Sequence, residues 1–171
     1  MVPIVSITGY AKTGKTTLIL ELIKALQAKG YKVAAVKHDP HDHGEVDRRG
    51  SDTANYWEAG CRAVVLSSPT RLTLFRGVEK ETAPEQIIPL CGDVDCVFLE
   101  GYKEQDYPKI VIWSGLKEIL KAPGIIAIIY NKEDEKELFA ARKSEDKIPV
   151  FTRTDLPGIV SFLEKNCLQK Q

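Results

Sequence analysis

Short apolar runs bounded by glycine, proline or charge alternate with amphipathic stretches along the 171 residues. Residues 4–8 (IVSIT) are apolar and β-branched, end at Gly9, and predict a buried strand. Residues 15–29 place Leu18, Ile19, Leu22, Ile23 and Leu26 at helical spacing, and Lys29-Gly30 supplies a stop. Residues 32–37 (KVAAVK) predict a second strand, parallel to the first because a helix connects them. A short helix is expected from Ser51 to Ala59, with Gly60 as its stop. Strands are expected at 63–67 and 71–76, joined by Ser68-Pro69-Thr70, and a helix at 83–91. Further strands are expected at 94–99, 109–113, 124–130 and 148–151, a charged helix at about 133–145, and a last helix opened by Asp155 and Pro157. Strands alternating with helices predict an α/β domain spanning 1–171, a mostly parallel sheet covered on both faces. The two strand pairs that lack a long intervening helix predict antiparallel excursions at an edge.

The chemistry begins where the first strand meets the first helix. Gly9-Tyr10-Ala11-Lys12-Thr13-Gly14-Lys15-Thr16-Thr17 satisfies G-x-x-x-x-G-K-[ST], the P-loop pattern, in its required strand–loop–helix context. Glycine permits backbone angles that a side chain obstructs, so successive N–H groups can converge on phosphate oxygens. The helix start directs further N–H groups at the same anion. Lys15 adds a formal charge, and the Thr16 hydroxyl is a ligand suited to Mg²⁺. Lys12, inside the loop, either adds charge against a phosphate or is solvated.

A metal-side carboxylate belongs at the end of a neighbouring strand, and Glu100, closing VDCVFLEG, is the first candidate. Asp39, after the second strand, is the other. Asn131-Lys132-Glu133-Asp134 follows the apolar strand GIIAIIY. Asn-Lys-x-Asp there resembles the guanine-recognition motif of GTP-binding proteins. A carboxylate such as Asp134 can accept paired N–H bonds from guanine, which adenine does not offer. The alternative is the start of a charged helix. All three histidines fall in His38-Asp39-Pro40-His41-Asp42-His43, either a weak metal-binding segment or a loop facing phosphate, substrate or partner. Asp47, Arg48, Arg49 and Asp52 extend this polar stretch.

Composition narrows the class. Apolar residues make up 43% and charged residues 28%, as in ordinary globular domains, and the formal net charge is zero. A balanced charge argues against a general nucleic-acid surface. No apolar run is long enough to span a bilayer, and no basic-then-apolar leader is evident. The four cysteines form no C-x-x-C pair, so reduced thiols and a cytoplasmic location are expected.

An ordered set of segments carries a more specific resemblance: the loop with its double threonine, Val36-Lys37-His38-Asp39, Asp47-x-x-Gly50-x-Asp52, Glu58-Ala59-Gly60, Leu99-Glu100-Gly101-Tyr102-Lys103 and Pro108-Lys109-Ile110. Across about residues 2–165 the chain resembles the molybdopterin-guanine dinucleotide biosynthesis protein B (MobB) family. That resemblance implies a three-layer P-loop NTPase fold, GTP with Mg²⁺, weak GTP hydrolysis and a homodimer. It also implies an accessory role beside a molybdopterin guanylyltransferase. By matching positions, Lys15 and Thr16 hold phosphate and Mg²⁺, and Glu100 is the strand-end acid. His38, Asp39 and Lys103 belong to loops near nucleotide or partner, with His41, Asp47 and Asp52 in the same polar region. Lys12 departs from the small or polar residue expected in that loop, and Asn-Lys-x-Asp is not part of the family pattern. Two other functions use the same loop: a small-molecule kinase, against which the lack of an arginine-rich lid counts, and a metal-delivery GTPase acting through residues 38–43.

Overall fold

The computed structural model describes residues 2–42, 44, 47–142 and 147–168. In chain order the elements are β1 (Ile4–Thr8), α1 (Lys15–Ala28), β2 (Val33–Lys37), α2 (Asp52–Glu58), β3 (Ala63–Ser68), β4 (Arg71–Arg76) and α3 (Pro84–Ile87). They continue with β5 (Cys96–Glu100), β6 (Lys109–Ile112), β7 (Ile125–Tyr130), α4 (Glu135–Ala141), β8 (Val150–Thr152) and α5 (Leu156–Asn166). Short 3-10 turns stand at Ile88–Cys91, Lys117–Lys121 and Lys132–Asp134. The expected charged helix is thus a 3-10 turn followed by α4, and residues 143–145 of that expectation lie outside the described residues. Two compact units result: Met1–His38 with Ile88–Gln171, and Asp39–Ile87. No proline-, glycine- or serine-rich linker marks either junction.

The first unit is built on a six-stranded sheet of order β2-β5-β1-β6-β7-β8. Every pairing in it is parallel. Side chains alternate between its two faces, as the strand period requires. Val5, Ile7, Cys96, Phe98, Ile110, Ile112, Ala127 and Ile129 share one core with Leu18, Leu22 and Leu26 of α1 and Ile159, Val160 and Leu163 of α5. On the opposite face, Val111, Trp113, Ile128 and Tyr130 pack with Ile119 and with Leu138 of α4, while Val97 and Leu99 pack with Tyr102. This is the expected three-layer arrangement. β1 and β2 are parallel in one sheet, with β5 between them.

The helices end where the sequence places their stops. Gly30 takes a φ of +85° directly after the α1 cap, a conformation glycine adopts without a Cβ penalty. Asp155 caps α5 by accepting from the Gly158 N–H at 3.0 Å.

The second unit holds α2, β3, β4 and α3. Ser51 caps α2 through its hydroxyl, and Gly60 follows with a φ of +95°. β3 and β4 are antiparallel, as expected, but form a separate two-stranded sheet instead of extending the edge of the main one. β5 and β6 are parallel. They flank β1 on its two sides, so the connection 101–108 must cross β1 and cannot be a hairpin.

That crossover is pinned at both ends. The buried Ser6 hydroxyl donates to the Gly101 carbonyl at 2.8 Å, and the Ser6 N–H donates to the Pro108 carbonyl at 2.8 Å. Lys109, fully buried at the start of β6, donates from Nζ to the carbonyls of Gln105 at 2.5 Å and Pro123 at 2.8 Å. Burial holds its amine below the usual lysine range, and Asp106 and Glu104 oppose that shift. Replacing Lys109 by Met keeps the apolar stem and leaves both carbonyls without this donor. The variant should lose about 3 kcal/mol of stability in urea denaturation at an unchanged m-value. A loss under about 0.5 kcal/mol would show that the amine does not hold the crossover.

Candidate functional site

Because all six strands run parallel, their carboxyl ends open on one edge, where ligands of open α/β sheets bind. β1 delivers Gly9 to the centre of that edge. A Cβ on Gly9 would stand 2.8 Å from Thr13 Oγ1 and 3.2 Å from the Ile112 carbonyl. Gly9 is therefore required by close packing, while Gly14, at φ +84°, supplies the left-handed turn into α1. Lys12 also has a positive φ, +63°, a strained setting for a residue with a Cβ.

Inside the loop, the Tyr10 carbonyl accepts from Thr13 Oγ1 at 2.9 Å and from Lys15 Nζ at 2.7 Å. The Tyr10 ring lies under Lys103, whose Nζ is 5.5 Å from the ring centroid, a cation–π contact. Burial lowers the Lys15 pKa, with Glu100 opposing and Lys37 reinforcing the shift. The Thr16 hydroxyl stands 2.9 and 3.0 Å from the two carboxylate oxygens of Glu100. Two residues 84 positions apart in sequence meet there. Hydroxyl and carboxylate are hard oxygen donors, the set that suits Mg²⁺. Ala11 and Thr17 are exposed on either side of the loop's centre.

Next to Glu100, Gly101 turns the chain with a φ of +99°, and a Cβ there would stand 3.2 Å from His38 Cβ. This close approach lets the His38 ring stack on Tyr102, centroids 4.6 Å apart at 22°. Tyr102 itself is buried and has a positive φ of +52°. His38 and Lys103 thus both attach to the β5 exit, one through Tyr102 and one over Tyr10.

On the other side of the loop, Ala11, Lys12, Thr13, Trp113, Ser114, Gly115, Asn131, Asp134 and Glu137 line a cavity of about 380 Å³. That is within the ~300–1,000 Å³ range of small-molecule sites. Asn131 Nδ2 donates to Asp134 Oδ2 at 3.3 Å, orienting the carboxylate. Lys132 does not line the cavity and pairs with Glu135 at 2.8 Å. The sequence reading missed Trp113, Ser114, Gly115 and Glu137. Ser-Gly directly after an apolar strand was the available signal, since strand ends on this edge are where ligands approach.

In the second unit, Asp39 accepts from the His41 N–H at 3.4 Å. Asp47 accepts from the Thr53 hydroxyl and from the Arg48 N–H, and these bonds lower its pKa in that order. Asp52 is the first-turn acid of α2. His43 lies outside the described residues. Among the described residues, no three His, Cys, Asp or Glu side chains are grouped to hold a metal ion. No helix of the described residues is long and apolar enough to cross a membrane.

The parallel six-stranded sheet, the G-x-x-x-x-G-K-T turn from β1 into α1 and the acid closing the adjacent strand define the three-layer α/β fold of P-loop proteins. The chain belongs to the family described as molybdopterin guanine dinucleotide synthesis protein B, whose family model matches residues 4–131. It is 33% identical over 168 residues to a probable molybdopterin-guanine dinucleotide biosynthesis adapter protein of Bacillus subtilis (strain 168), covering 94% of this chain and 91% of the relative. It is 31% identical over 121 residues to the molybdopterin-guanine dinucleotide biosynthesis adapter protein of Escherichia coli (strain K12), covering 66% of each. The crystal structure of Bacillus subtilis MobB matches at a TM-score of 0.75 and 25% identity, over 98% of this chain and 99% of that one.

The geometry around Gly101 generates a test. Gly101→Ala should cost about 2 kcal/mol, from the left-handed backbone and the contact with His38. Guanidinium unfolding would measure it. Wild-type stability in that variant would show that the β5 exit tolerates a side chain and that His38 is not held by this packing.

Proposed function

We propose that this protein is a cytoplasmic, Mg²⁺-dependent GTP-binding adapter in the formation of molybdopterin guanine dinucleotide, acting beside a guanylyltransferase that performs the nucleotide transfer. The observation that carries the nucleotide part is the meeting of Thr16 with both oxygens of Glu100 beside Lys15. The adapter part follows the names of the relatives.

In this reading, the N–H groups of 9–17 surround the phosphates, and the Lys15 amine exchanges the Tyr10 carbonyl for phosphate oxygens. Thr16 and Glu100 would hold Mg²⁺, which supplies charge neutralisation between the outer phosphates. Asp134, oriented by Asn131, accepts the paired N–H groups of guanine. Hydrolysis is slow in this reading: among the described residues no arginine lines the cavity beside the loop, and a positioned arginine raises turnover about 10³- to 10⁵-fold.

The protein acts as a homodimer. On one face of the β3–β4 sheet, Val65, Leu72 and Leu74 are 56%, 73% and 45% exposed. Val65 and Leu74 are direct cross-strand partners. An outward apolar row of this kind favours burial against a second surface.

Competition titration with Mg²⁺ should show tighter binding of GTP than of ATP. Lys15→Ala should lose about 100-fold in triphosphate affinity while remaining folded. Asp134→Ala should retain the phosphates and lose the preference for guanine. Undiminished affinity in the Lys15 variant would reject the phosphate site, and unchanged selectivity in the Asp134 variant would reject guanine reading. Light scattering should give a dimer mass for the wild type and a monomer mass for Leu72→Lys.

A further inference from the structure

The cavity beside the loop has a charge distribution that the phosphate site does not explain. Among the described residues, its wall from the 3-10 turn 132–134 and α4 carries two carboxylates, Asp134 and Glu137, and its loop side carries one cation, Lys12. A net-negative pocket repels phosphate, so the triphosphate stays at the Lys15 end and the cavity receives the uncharged part of a nucleotide. That part is rich in N–H and O–H donors. Asp134 suffices for the base edge, which leaves Glu137 without a role.

Glu137 follows Asp134 by three residues, so the two side chains share a helical face with Cβ atoms about 5–6 Å apart. Glu137 is exposed on α4. Its carboxylate is aimed across the pocket, with oxygens 3.2 and 3.5 Å from the position a Cβ would take on Gly115. Gly115 has a φ of +82°. The absent side chain at Gly115 leaves room for the carboxylate to lie against the chain leaving β6. Trp113, 1% exposed, also lines this cavity, and its indole N–H is buried with no hydrogen-bond partner.

We propose that Glu137 is a specificity residue that accepts hydrogen bonds from the two vicinal hydroxyls of the ribose, making the site selective for ribonucleotides over deoxyribonucleotides. A carboxylate offers two acceptor oxygens, and a vicinal diol offers two donors at matching separation. The inference rests on the nucleotide reading above and adds to it the sugar.

The test is Mg²⁺ titration of the full chain with GTP, 2′-deoxy-GTP and ATP. Wild type should bind GTP about 10-fold more tightly than 2′-deoxy-GTP. Glu137→Gln should bring that ratio close to one and leave the preference for GTP over ATP in place. Gly115→Ala, which crowds the Glu137 carboxylate, should reduce the same ratio. Equal wild-type affinity for GTP and 2′-deoxy-GTP, or an unchanged ratio in Glu137→Gln, overturns the ribose role while leaving the nucleotide site intact. Absence of GTP binding by the wild type overturns the nucleotide reading and the ribose role together. Because the Glu137 side chain is exposed, the Gln variant keeps the fold, which circular dichroism checks.

Discussion

β1 is enclosed on every side, and the rest of the first unit is arranged around that constraint. β5 and β6 pair with its two edges, Val5 and Ile7 are buried in the α1–α5 core, and Ile4 packs in the opposite layer. Each backbone N–H and C=O of such a strand has to find a partner within the protein. Ser6 shows how fully this is met, since its amide and its hydroxyl both tie down the crossover that passes from β5 to β6. A strand held this firmly releases its last residue at one fixed point, and the glycine-rich turn starts there.

The crossover 101–108 couples architecture to chemistry. At its first residue the chain turns sharply, so Glu100 stops at the height of Thr16 and Tyr102 folds back under His38. At its last residues the buried Lys109 amine replaces a helix as the means of holding the connection. Parallel strands are ordinarily bridged by a helix because backbone groups in a long crossover need internal partners. Here the amide and hydroxyl of Ser6 and the buried amine of Lys109 share that task.

Much of this was legible in the sequence. The apolar runs located the strands to within a residue or two, and Ser51, Asp155 and the glycines after α1 and α2 marked helix ends because capping is local chemistry. The loop 9–17 and Glu100 were readable because their spacing and position at strand ends carry the signal. Sheet order was not. Nothing local distinguishes β5 lying between β1 and β2 from β5 lying at an edge, and the expectation of an edge excursion arose from that. Glu137 and Trp113 were hidden for a similar reason: one resembles any solvated helix glutamate, the other any core aromatic. Only folding brings both to the wall of one cavity. Lys109 read as part of a family pattern, and its burial follows from the crossover geometry instead of from its own sequence neighbourhood.

The turn between β1 and α1 has a further consequence. Its shape is fixed from within by the Tyr10 carbonyl bonds to Thr13 and Lys15, and from outside by the Ile112 backbone standing where a Gly9 side chain would be. On the nucleotide reading proposed above, an arriving anion meets a loop whose shape these contacts have already set instead of one ordered at the moment of association. On that reading, capture carries the cost of desolvating the Lys15 amine and detaching it from the Tyr10 carbonyl.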